Sequence, residues 1–196
     1  MENGIDIEAL KNDKEFLENL ELLEKEMKEQ NSIAKGYQLL NAKILLNEQD
    51  PKIDEIFTFI VEKAFDRLAE HFAKTEEFKI SNEEDVATLR AIYEFAMQKW
   101  SEGDTKSASE LFLALHLLTD DKELSDAFLV HFGAVQSGYS FEDFIEKLAV
   151  VPEAQLTDDS SKAYFIINFS QPLDIMLKMF EKEIKKGIET LKSLEK

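Results

Sequence analysis

Phe16, Leu20, Leu23 and Met27 stand four, three and four residues apart, a spacing that puts them on one face of a helix. The same rhythm returns along the chain. Ile33, Tyr37, Leu40 and Ile44 carry it next, and Ile53, Ile56, Ile60, Ala64, Leu68 and Phe72 carry it most strongly. It continues through Val86, Leu89, Tyr93, Met97 and Trp100, then through Ala108, Leu111, Phe112, Leu115 and Leu118. Only 6 glycines and 3 prolines interrupt 196 residues, and a sheet protein of this length needs more turn residues than that. The predicted fold class is all-α.

Local signals divide the pattern. Residues 6–29 read as helix, and Asn31-Ser32 offers a cap for a second helix over 33–47. Asp50-Pro51 stops that helix and opens the next, over 52–73, since proline suits a first helical turn. The polar stretch 74–81 breaks the chain, and Ser81-Asn82 with Glu84 resembles a capping box for a helix reaching Lys99 or Trp100. Gly103 ends it. Helices are predicted over 105–118, over 122–136 behind the cap Thr119-Asp120-Asp121, and over 140–149 beyond Gly138. Residues 150–161 read as a loop. Ala163–Phe169 is β-branched and aromatic, compatible with helix or strand; it is assigned to helix because no partner strand is visible elsewhere. After Gln171-Pro172 a long amphipathic helix is predicted over 173–194. The organisation expected is an N-terminal helical segment, 1–80, and a repeat region, 81–196, or one continuous domain.

Charge and composition exclude several functions. There are 41 acidic against 23 basic residues, a net charge of −18. Such a surface repels nucleic acid and anionic membrane, and attracts a basic partner. Arg67 and Arg90 are the two arginines, too few for the bidentate clamps of phosphoryl chemistry. Cysteine is absent, which excludes disulfides, thiol nucleophiles and Cys-ligated zinc. The first twenty residues are polar and acidic and do not read as a signal peptide. No apolar run approaches the length of a membrane span, so the expected location is cytoplasmic.

Catalytic motifs fail on inspection. Lys106-Ser107 after Gly103 lacks the second glycine and the preceding strand of a phosphate loop. The residues three before His71, His116 and His131 are Leu68, Leu113 and Phe128, so the Glu-x-x-His pairs of a di-iron bundle are missing. Carboxylate pairs such as Glu83-Glu84 and Asp120-Asp121 read as solvated faces or caps. No enzyme, cofactor or metal is expected.

Gly103 and Gly138 are 35 residues apart, close to the period of tetratricopeptide (TPR) repeats. Trp100 precedes the first glycine by three and Ala108 follows by five, with Phe112 and Leu115 behind. The second unit, with Phe141, Phe144 and Ile145, is irregular because Asp143 occupies the position of Ala108. The expected architecture is helical hairpins stacked as irregular TPR-like repeats, with extra N-terminal helices and a long C-terminal amphipathic helix. That last helix either docks on its own chain or forms a homodimer seam.

Residues 96–138, with Trp100, Gly103, Ala108, Phe112, Leu115, Leu118, Phe128 and Gly133-Ala134 in order, resemble the core of the TPR-like class II type III secretion chaperones. The resemblance is limited to about residues 88–149. It implies an acidic cytoplasmic chaperone that holds a secreted or translocator-type polypeptide in a concave groove. Carried over, the partner-binding residues are Tyr93, Met97, Trp100, Leu118, Phe128 and Gln136. The competing expectation is a helical adaptor or regulatory subunit of a larger protein assembly.

Overall fold

The computed structural model describes residues 7–47, 49–150 and 160–194. Among the described residues there are ten α-helices and no strand of a sheet. The helices are α1 (Ile7–Asn12), α2 (Lys14–Gln30), α3 (Ile33–Leu46), α4 (Lys52–Lys74) and α5 (Glu83–Ser101). They continue with α6 (Thr105–Leu117), α7 (Lys122–Gln136), α8 (Phe141–Lys147), α9 (Leu173–Met179) and α10 (Glu181–Leu194). None is long and apolar enough to cross a membrane, among the described residues. The fold is all-α, with TPR-like hairpins as its repeating element.

Two compact units meet at Ala69–Glu70, inside α4. In the first, α1, α2, α3 and most of α4 supply a core of Leu20, Met27, Ile33, Tyr37, Ile56, Ile60 and Leu68. Local chemistry sets the breaks. Asp13 leaves the helical conformation (φ −79°, ψ 108°), and its carboxylate accepts from the Phe16 amide at 3.0 Å. The helix expected over 6–29 is therefore two. Asn31 takes a left-handed φ of 50°, and Ser32 caps α3 by accepting from the Lys35 amide.

The second unit begins before the break expected near residue 80. The polar stretch after α4 is held by long-range pairing. The Phe78 amide donates to the Leu118 carbonyl at 2.7 Å, and the Asp120 amide donates to the Phe78 carbonyl at 3.1 Å. Phe78 is fully buried and stacks on His71 with ring centroids 3.9 Å apart.

The two hairpins, α5–α6 and α7–α8, turn by the same device. At the first, Gly103 has φ +84°, its amide donates to the Trp100 carbonyl, and the Asp104 amide donates to the Lys99 carbonyl. At the second, Gly138 has φ +83°, with bonds to Val135 and from Tyr139 to Ala134. Both are Schellman closures, in which a left-handed residue lets the last carbonyls find donors. Asp104 and Ser140 then cap the following helices, on the amides of Ser107 and Asp143. The indole Nε1–H of Trp100 donates to the Tyr139 carbonyl at 3.0 Å, tying the end of α5 to the second turn. A Cβ at either glycine meets nothing within 4 Å, so the cost of a substitution is purely conformational. Gly103→Ala and Gly138→Ala are each expected to cost about 1 kcal/mol, or a fall of about 2–4 °C in Tm. A thermal melt showing no loss would contradict this account of the turns.

The helix expected over 173–194 is broken at Phe180, which ends α9 with φ −102°, ψ 14°. Both α9 and α10 pack on α7, and the bend keeps the apolar stripe of each against it. Ala163–Phe169, assigned to helix from sequence, is not helical: it is a turn followed by extended chain, joined to Ala149 through one antiparallel bridge at Phe169. The loop expected over 150–161 lies mostly outside the described residues.

Candidate functional site

One aromatic face is assembled from four helices. Tyr93 comes from α5, Phe112 from α6, Phe128 and His131 from α7, and Phe144 from α8. Helical spacing puts Phe128 and His131, three apart, on the same side of α7. The Tyr93 ring lies 6.1 Å from Phe112, 5.8 Å from Phe128 and 5.4 Å, edge-on, from His131. His131 sits 5.0 Å from Phe112 and 4.8 Å from Phe144.

A short length of chain lies across this face. Lys162 to Ser170 passes over it, and we call this segment the strap. Phe165 packs edge-on against Tyr93 and Phe128 at 5.3 and 5.7 Å. Four residues on, Phe169 meets His131 at 5.8 Å and Phe144 at 6.3 Å. Edge contacts of this type each contribute about 0.5–1.5 kcal/mol beyond the area they bury. Of the residues between Ala163 and Ser170 only Phe165 is buried; Ala163, Tyr164, Asn168 and Ser170 are exposed.

Polar groups hold the strap at its middle and both ends. The Ile166 amide donates to the Tyr93 hydroxyl oxygen at 3.2 Å. The Val150 amide donates to the Asn168 carbonyl at 2.9 Å, and the Ser170 amide to the Leu148 carbonyl at 2.8 Å. Lys162 pairs with Asp121 at 2.8 Å and Glu123 at 3.0 Å. The Arg90 guanidinium lies 4.1 Å over the Tyr164 ring. Lys162 keeps its ammonium stabilised through those two carboxylates, against the opposing effect of its burial.

His131 is fully buried but satisfied. Its Nδ1 lies 2.8 Å from the Ala127 carbonyl, which only accepts, so Nδ1 carries the proton. Its Nε2 then accepts from the Tyr93 hydroxyl at 3.1 Å. A directed chain results: the Ile166 amide to Tyr93, Tyr93 to His131, His131 to Ala127. Burial pushes the His131 pKa down to about 4, and the bond to Ala127 opposes this only in part. Burial likewise pushes the Tyr93 phenol up. Both groups are neutral across the physiological range, and each is the other's hydrogen-bond partner.

The six residues expected to line a partner groove are divided by the structure. Tyr93, Trp100, Leu118 and Phe128 are buried, at most 4% exposed. They are packed interior, not open surface. Phe165 covers Tyr93 and Phe128. Trp100 is enclosed by Phe112, Phe141 and Phe144, and Leu118 lies beside Phe78, whose amide its carbonyl receives. Met97 is half-buried and Gln136 exposed. Gln136 opens instead on a separate groove of about 510 Å³ between α6, α7 and α10, floored by Leu113, Phe132 and Val135. Sequence reasoning missed Phe165 and Phe169, although the β-branched, aromatic run that contains them fitted no helical stripe.

No protein-family model matches the chain, and no curated protein or solved structure shows significant similarity to it.

Proposed function

We propose that this is a non-enzymatic binding protein that holds an extended polypeptide on the aromatic face of its α5–α8 hairpins, in the manner of a class II secretion chaperone. The observation that carries this reading is that an extended segment is already seated there, by two aromatic anchors, two backbone–backbone hydrogen bonds and one from its backbone to the Tyr93 hydroxyl. Aromatic anchors in pockets supply most of the energy of peptide recognition, and backbone pairing adds register without sequence demand. The net charge of −18 favours rapid encounter with a basic partner. The resemblance of residues 96–138 to the chaperone family adds the class of client, a secreted or translocator-type polypeptide.

The test is a holding assay. At equimolar ratio the protein is expected to keep a chemically unfolded, basic, aggregation-prone polypeptide in solution after dilution from denaturant, and to lose this ability in high salt. Unchanged light scattering contradicts the proposal. Trp100 is only 2% exposed, so its fluorescence is not the readout.

A further inference from the structure

We infer that the strap is a built-in competitor for the polypeptide site, and that it displays the sequence the site selects: a cation, then two aromatics at the third and seventh residues after it. The inference rests on the proposed polypeptide-holding function and specifies its occupant. Lys162, Phe165 and Phe169 have this spacing. Each has its own receptor on the helices. Asp121 and Glu123 at the start of α7 take the ammonium, Tyr93 and Phe128 take the first ring, and His131 and Phe144 take the second. Tyr93 also receives the amide just after the first aromatic, so the site reads backbone and side chains together.

The strap has the character of a bound peptide rather than of a core element. It has no helix of its own between Ala163 and Ser170, and its exposed positions alternate with its anchors. Ile166 and Ile167, between the anchors, are half-buried and uncharged. Ile167 shares a surface pocket with Glu123, so an incoming segment with an acid there meets a like charge. Because the strap belongs to the same chain, it competes at an effective concentration on the order of millimolar. A client therefore has to match the same receptors better, or engage further surface, to displace it. The partner chemistry that fits is an extended, basic-flanked segment with aromatics four apart and no acid between them.

The experiment uses a fluorescein-labelled peptide of residues 161–171, SKAYFIINFSQ, titrated into the full chain and into a Phe165→Ala, Phe169→Ala variant. The variant is expected to bind at least tenfold more tightly than the unaltered chain, and a peptide with both phenylalanines replaced by alanine is expected not to bind. A folded variant that binds the peptide no better overturns the inference, even if the unaltered chain passes the holding assay; the client then uses another surface. Failure of both proteins to bind any polypeptide overturns the proposed function as well. Should the variant not fold, hydrogen exchange at the Ile166 amide of the unaltered chain replaces it. Faster exchange with excess peptide supports displacement, and unchanged exchange overturns it.

Discussion

Lowering the pH from 7 to 4 is expected to remove about 3 kcal/mol of stability through His131 alone. In the folded chain its pKa is pushed down to about 4, against 6.5 for the free side chain. Between these values the unfolded state binds a proton that the folded state refuses. Stability from this group is therefore complete above pH 6.5, falls as the pH drops, and is flat again below 4. The cause is geometric: the neutral ring accepts from Tyr93 and donates to Ala127, and the rings around it offer no charge to stabilise an imidazolium. Burial lowers the pKa of His116 too, so it contributes in the same direction. Carboxylates held ionised by partners, such as Asp104 through Ser107 and Asp50 through the Lys52 amide and Lys43, lose stability at lower pH. The comparison that isolates His131 is with His131→Gln, which has an amide oxygen to accept from Tyr93 but no proton to gain. Urea unfolding at pH 7, 6, 5 and 4 should show the parent losing about 3 kcal/mol more than the variant. Parallel curves would show that His131 titrates freely in the folded state.

The second large effect is expected at Gly133. A Cβ built there lies 2.4 Å from the Cβ and 2.7 Å from the Cγ of Phe180. A neighbour's Cβ is fixed to its backbone, so α7 must move away from the junction of α9 and α10. Overpacking of this kind costs about 1–3 kcal/mol, occasionally more. The better helix propensity of alanine returns roughly 1 kcal/mol. With the contact this close the cost lies in the upper half of that range, and the net loss predicted for Gly133→Ala is about 1–2 kcal/mol, a fall of about 2–8 °C in Tm. Gly187→Ala is the control. Its Cβ meets the far edge of the Phe132 ring, at 2.3 and 2.6 Å, and a ring edge can turn aside. It should be the milder of the two, and a neutral Gly133→Ala would contradict the close crossing.

What the sequence made legible was local. Gly103 and Gly138 announced the hairpin turns because a left-handed residue is needed within five positions of the carbonyls it helps to satisfy. Asn31-Ser32 and Asp121 announced helix starts for a similar reason: a cap acts on amides three residues away. Ala163–Phe169 was not legible. Its conformation is set by a tyrosine 73 residues earlier in the chain and by carbonyl and amide groups at Leu148 and Val150. The aromatic character of Tyr93, Trp100 and Phe128 marked them as important, but periodicity cannot say what covers a helix face. Here Phe165 covers two of the three. Gly133 stood out only through the family resemblance, and its physical role became clear with the approach of Phe180. The break between α9 and α10 was hidden because the apolar spacing runs on through it.

A polypeptide can take the strap's place only if the strap is a separable occupant of the aromatic face. Native-state hydrogen exchange across low denaturant concentrations tests this most directly. The Ile166 and Ser170 amides are predicted to exchange through an opening well below the global unfolding free energy, while the amides of Phe128 to Phe132 in α7 exchange only with global unfolding. If Ile166 and Ser170 converge on the same free energy and denaturant slope as α7, the strap is an inseparable part of the core and the account fails.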